Sequence, residues 1–86
     1  MPRIVLYTIA TCPYCMATKN FLKARNLSWR ELRVDTDPQA REAMIAATHR
    51  TSVPQIVIND LPIGGFDDMM AMNRSGALQP LLSETS

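Results

Sequence analysis

Ile4-Val5-Leu6-Tyr7, Thr11-Cys12-Pro13-Tyr14-Cys15 and Met16-Ala17-Thr18-Lys19-Asn20-Phe21-Leu22-Lys23 decide the fold. The first run is β-branched and aromatic and reads as a strand. The last has helical spacing, and the turn between them holds both cysteines of the chain. Two cysteines at C-x-x-C spacing on a strand-to-helix turn are the arrangement of a thiol–disulfide exchange site. Pro13 suits the first helical position, where its missing N–H costs nothing, so Cys12 falls at or near the N-cap. Its sulfur then faces unpaired N–H groups and the positive end of the helix dipole, which favours the nucleophilic thiolate. Cys15 follows about one turn later, less exposed and close enough to close a disulfide with Cys12. A zinc site needs more ligands, and only His49, alone in a polar stretch, is of the right kind. A structural disulfide across two residues would restrain the unfolded chain little.

Working outward, Arg3 to Thr8 is the first strand and Pro13 to Arg25 the first helix, with Ala17, Phe21 and Ala24 on one face and Asn26 as a left-handed stop. Ser28 to Val34 reads as a second strand. Asp37 caps a second helix with Pro38 at its first position, running to about Thr48 and burying Ala40, Met44 and Ala47. Gln55 to Asn59 and Leu61 to Gly64 are strands joined by a tight turn at Asn59-Asp60, hence antiparallel. Asp67 or Asp68 caps a third helix that Ser75-Gly76 ends, and Leu81-Leu82 packs back on the body. The order βαβαββα, with the first two strands parallel through a helical crossover, predicts an α/β fold: a four-stranded mixed sheet flanked by helices. Met69, Met70 and Met72 read as core filling on the third helix, and Trp29 as a packing residue.

The 86 residues predict a single domain, with residues 83–86 as a frayed tail. The composition is globular, 47% hydrophobic and 20% charged, and a net charge of +1 gives no global field toward nucleic acid or an acidic membrane. No apolar run approaches a membrane span and the N-terminus lacks a signal-peptide pattern, so a reducing cytoplasm is expected. A monomer is the default expectation for such an exchanger.

Three pieces carry a family likeness: Tyr7-Thr8 ahead of Cys12-Pro13-Tyr14-Cys15, then Ser52-Val53-Pro54-Gln55, then Gly64-Gly65-Phe66-Asp67-Asp68. With them the chain resembles a small dithiol glutaredoxin of thioredoxin-like fold over nearly its whole length. The resemblance implies reduction of protein disulfides and glutathione mixed disulfides, with Cys12 and Cys15 catalytic, glutathione as co-substrate and no tightly bound cofactor or metal. It implies that Pro54 is a cis-proline presenting the Val53 backbone to the cysteinyl part of glutathione. It further implies that Tyr14, Gly65, Phe66 and Asp67 line the glutathione site, Asp67 meeting the γ-glutamyl amino group, while Thr11, Pro13, Ser52 and Gly64 support it.

One position departs from the pattern. The family commonly has a lysine three residues before the first cysteine, and Ile9 stands there. Arg50 or Arg41 is then the cation expected to reach the glycine carboxylate of glutathione. Ile9 leans toward a redoxin reduced by thioredoxin reductase, and the Gly64–Asp68 corner leans against it. A protein holding an iron–sulfur cluster through Cys12 and glutathione is the reading from another class, and the rigid Pro13 argues against it.

Overall fold

The computed structural model describes residues 2–83. Eight elements follow one another: β1 Ile4–Thr8, α1 Pro13–Ala24, β2 Arg30–Arg33, α2 Pro38–Thr48, β3 Gln55–Ile58, β4 Leu61–Gly64, α3 Phe66–Ser75 and α4 Leu78–Ser83. The sheet order is β2-β1-β3-β4, with β1 parallel to β2 and antiparallel to β3, and β3 antiparallel to β4. This is the mixed four-stranded sheet that the sequence predicts.

β1 and β3 are central and covered on both faces, which is why their sequences are almost continuously apolar. Alternation still sorts the side chains. Ile4, Leu6, Ile56 and Ile58 join Leu22, Met69, Leu78 and Leu82 in a core beneath α1, α3 and α4. Tyr7 and Val57 face the other way, into a smaller core with Val34 and with Ala40 and Met44 of α2. Met69 is fully buried, and Met70, Met72 and Trp29 pack against the larger core.

Local signals set the boundaries. Asp37 Oδ1 accepts the Gln39 N–H at 2.9 Å with Pro38 next in line, so α2 starts where expected. His49 closes that helix in the left-handed region, at φ 59°. Asn26 is left-handed as expected, at φ 60°. Asn59 and Asp60 both have positive φ, as a two-residue hairpin matched to strand twist requires.

Five expectations change. The buried stripe of α1 is Cys15, Thr18 and Leu22, with Phe21 half-buried and Ala24 exposed. Holding Cys15 inward sets the helix phase, and the Thr18 hydroxyl is satisfied by donating to Tyr14 O at 2.8 Å. Ala47 is exposed, because Ala40 and Met44 alone fill the narrow α2 contact. The N-cap of α3 is Gly65, one turn before the acids were expected to act; Asp68 works from the third helical position by accepting the Gly65 N–H at 2.9 Å. Leu81-Leu82 lies in a fourth helix, giving βαβαββαα. Ser83, assigned to the tail, closes that helix by donating to Gln79 O at 3.0 Å, while residues 84–86 lie outside the described residues.

Candidate active site

β1 delivers the chain to one end of the sheet, and the loop Ile9-Ala10-Thr11 turns it into α1. Two contacts fix that loop. The Ile9 side chain is half-buried against the smaller core. The Ala10 N–H donates to Asp35 Oδ2 at 3.0 Å, and Arg33 grips both oxygens of Asp35 at 2.8 and 2.7 Å. That fork, helped by the Ala10 amide, holds the Asp35 carboxyl down at about 2.

Cys12 is the N-cap of α1, with extended backbone at φ −139° and ψ 105°, and Pro13 follows at the first helical position. Cys12 Sγ accepts the Cys15 N–H at 3.2 Å, so the capping atom is the sulfur itself. Both thiols are free; Cys12 is half-buried and Cys15 is 1% exposed. Burial first, and then the hydrogen bond with Cys12, push the Cys15 thiol up to about 11, against a smaller opposing pull from the Ile9 N–H and the Lys19 charge. The pair is therefore unequal: one sulfur reaches solvent at a helix N-terminus, and its neighbour is a buried thiol.

Next to Tyr14, two residues beyond Cys12 in the chain, lies a cleft of about 200 Å³ that neither cysteine lines. Tyr14 and Phe66 border it, their ring centroids 6.0 Å apart and tilted by 34°. Ser52, Val53 and Pro54 form another wall, with the Val53–Pro54 bond cis. Among the described residues nothing hydrogen-bonds the Val53 N–H or C=O. Gln55 braces this wall by donating to Ser52 O at 2.9 Å and Ser52 Oγ at 3.1 Å. The remaining wall is the start of α3, Gly65 to Asp68. Gly64 precedes it with φ +112°, and a Cβ there would collide with the Asp68 carboxylate. Asp68 also pairs with Arg50 Nη1 at 3.2 Å, whereas Asp67 is exposed and has no partner among the described residues.

The sequence-predicted residues Tyr14, Ser52, Val53, Pro54, Gly65, Phe66 and Asp67 thus meet in one cleft; Cys12 and Pro13 directly precede Tyr14 in the chain but do not line it. Gly64 supports that wall from beneath, and Thr11 is exposed in the loop. Of the two arginines, Arg50 lines the cleft; Arg41 is on the exposed side of α2 and does not. The Asp35–Ala10 tie joins residues 25 apart in sequence, a pairing that no local motif signals. A larger groove of about 560 Å³ runs along the outer side of α1 between Met16 and Trp29, and neither cysteine lines it.

A dithiol at a helix N-cap, together with a cis-proline in the wall of the neighbouring Tyr14's cleft and this sheet order, defines a thiol–disulfide oxidoreductase of thioredoxin-like fold. Comparison with known proteins narrows the class. The sequence profile of the family described as Glutaredoxin matches residues 4–63. The chain is 44% identical over 82 residues to Glutaredoxin 3 of Escherichia coli, covering 95% of this chain and 99% of that protein. It is 40% identical over 83 residues to a glutaredoxin of Pseudomonas aeruginosa, covering 96% and 99% respectively. Among solved structures, a buckwheat glutaredoxin–glutathione complex superposes with TM-score 0.83 at 25% identity, covering 95% of this chain and 77% of that one. The dithiolic glutaredoxin 2-C-Grx1 of Trypanosoma brucei brucei gives 0.81 at 34% identity, covering 94% and 87%. The chain belongs to the glutaredoxin family and is a glutathione-dependent thiol–disulfide oxidoreductase.

Proposed function

We propose that Cys12 alone turns over glutathione mixed disulfides, and that Cys12 and Cys15 together reduce protein disulfides. The observation carrying this reading is the unequal cysteine pair: a partly exposed Cys12 at a helix N-cap, two residues before the Tyr14 that borders the cleft, and a buried Cys15 one turn behind. In the first reaction the Cys12 thiolate attacks the glutathione sulfur of a mixed disulfide. The substrate protein's sulfur leaves as a thiolate and takes a proton from water, and Cys12 is left glutathionylated. A second glutathione thiolate attacks the glutathione sulfur on Cys12, releasing oxidised glutathione and the Cys12 thiolate. In the second reaction Cys12 forms a mixed disulfide with the substrate protein, and Cys15 displaces that protein as a dithiol. The resulting Cys12–Cys15 disulfide is reduced by two glutathiones.

Glutathione takes the cleft. The free Val53 N–H and C=O pair with its cysteinyl peptide unit as one strand pairs with another. Tyr14 and Phe66 flank it. The start of α3 offers N–H groups to the γ-glutamyl carboxylate, and the unpartnered Asp67 meets the adjacent amino group. Arg50 serves the glycine carboxylate in place of the lysine that Ile9 replaces. The protein partners are disulfide-containing or glutathionylated proteins; the chain acts as a single domain and a monomer in the cytoplasm, with neither nucleic acid nor membrane as a partner.

The test is NADPH consumption with a small glutathione mixed disulfide, coupled once through glutathione and glutathione reductase and once through thioredoxin reductase alone. Turnover only in the first arrangement is expected. Turnover only in the second would mean that the cleft is not a working glutathione site and that Ile9 marks a redoxin.

A further inference from the structure

Glu31, on the edge strand β2, gathers two donors. Thr8 Oγ1 donates to its Oε2 at 2.7 Å, and Lys19 Nζ lies 3.1 Å from that same oxygen. Thr8 is wholly buried at the end of β1 and immediately precedes Ile9, whose backbone N–H favours the Cys15 thiolate. Lys19 stands one helical turn beyond Cys15 on α1, the i,i+4 spacing that brings side chains together. The ammonium is thus fixed by Glu31 one helical turn from Cys15, and its charge favours the thiolate of the cysteine that the mechanism keeps buried. The pair is also the most enclosed of the ion pairs among the described residues, with side chains 30% and 29% exposed. An unanchored lysine would sweep its charge through solvent, whereas this one is fixed.

We propose that Lys19 is a positioning residue for the dithiol reaction, its tethered ammonium stabilising the Cys15 thiolate when Cys15 attacks or leaves. The inference rests on the two-cysteine mechanism above. When Cys15 resolves a mixed disulfide, its proton goes to water, its sulfur attacks Cys12 Sγ, and the bond from Cys12 to the substrate sulfur breaks. The substrate leaves as a thiolate with its disulfide reduced, and the Cys12–Cys15 pair is oxidised. When glutathione later attacks Cys12 of that disulfide, Cys15 departs as a thiolate. Negative charge passes through Cys15 in both steps, at a site where burial raises the thiol to about 11 and Lys19 is the nearby cation working against the rise. Cys12, when charged, repels a Cys15 thiolate, and Glu31 offsets part of the Lys19 charge. Turnover of a glutathione mixed disulfide by Cys12 alone places no charge on Cys15, so Lys19 separates the two activities.

The experiment compares Lys19→Met and Lys19→Arg with the unaltered chain in two glutathione-coupled assays: reduction of insulin disulfides, and turnover of the mixed disulfide of cysteine and glutathione. Lys19→Met should lower the ratio of the first rate to the second about fourfold, in the range expected of one partly solvated charge. Lys19→Arg, which keeps the cation, should restore the ratio to within about twofold. An unchanged ratio in Lys19→Met, or a fall that Lys19→Arg does not recover, overturns the proposal. Cys15→Ser, measured alongside, separates the two claims. If it loses insulin reduction but keeps mixed-disulfide turnover, a failure at Lys19 counts against Lys19 alone. If it keeps insulin reduction, the two-cysteine mechanism falls and the role of Lys19 falls with it.

Discussion

Two adjacent glycines at the mouth of the cleft should respond very unequally to the same added methyl group. Gly64 has φ +112°, and a Cβ there runs into the Asp68 carboxylate. Gly64→Ala therefore forces a left-handed backbone on a residue with a Cβ, a strain of about 1–2 kcal/mol. It also pushes Asp68 off the Gly65 N–H, removing a capping hydrogen bond that contributes about 1 kcal/mol. Together these come to about 2–3 kcal/mol, and each kcal/mol lowers the melting temperature of a domain this size by about 4–8 °C. Gly65 has ordinary φ, and its added Cβ would sit 3.5 Å from Pro54 O, in normal contact. Gly65→Ala forfeits only the better cap residue, a loss of about 1 kcal/mol or less. Thermal unfolding followed by circular dichroism should show Gly64→Ala melting about 10 °C or more below the parent, and Gly65→Ala within about 8 °C of it. Because Asp68 and Arg50 share the same wall, Gly64→Ala should also raise the glutathione KM. A Gly64→Ala protein melting within about 3 °C of the parent, or one no less stable than Gly65→Ala, would refute the reasoning.

Three further outcomes are expected. Iodoacetamide at pH 7 should alkylate Cys12 and leave Cys15 unmodified by mass spectrometry; and because the Cys15 thiol is raised from 9.0 to about 11, the unfolded chain gives up its proton first, so stability should fall between pH 9 and 11, less steeply in Cys15→Ala. Asp35→Ala frees the Ala10 amide and should lower kcat/KM on the order of tenfold, with Asp35→Asn recovering most of it because an amide oxygen still accepts that N–H; since Asp35 is lowered from 3.8 to about 2, the clamp contributes stability above pH 3.8 and loses it only as pH falls through about 2. Ile9→Lys should lower the glutathione KM a few-fold while reducing stability by about 1–2 kcal/mol, seen as a lower melting temperature, because the isoleucine packs in the smaller core.

The legible parts of the fold were those written in local chemistry. Cys12-Pro13, Asp37-Pro38 and Asn59-Asp60 each fix their own backbone through a cap, a proline or a left-handed turn, and each stands where it was read. Helix phase was less legible. Ala24 and Ala47 look like core residues and are exposed, whereas Thr18 looks polar and is fully buried, because the demand to turn Cys15 inward outweighs side-chain polarity. α4 escaped notice because Pro80 reads as a breaker, yet it sits in the helix's first turn, where a missing N–H is tolerated. At the site, the walls of the cleft were legible as motifs, and the ties that hold them were not. Asp35 to Ala10, Glu31 to Thr8 and Arg50 to Asp68 all join residues far apart in sequence, and neither spacing nor composition carries such pairings.

The two outer strands bear on how this small sheet behaves at high concentration. β2, on one edge, is only Arg30-Glu31-Leu32-Arg33, so any chain adding to it must accommodate three charges in four residues. β4, on the other, carries Pro62 and so lacks one of the amides that a new neighbour would need. Charge and proline are recognised means of blunting an open sheet edge. Both open edges of the sheet are therefore poor templates for a further strand.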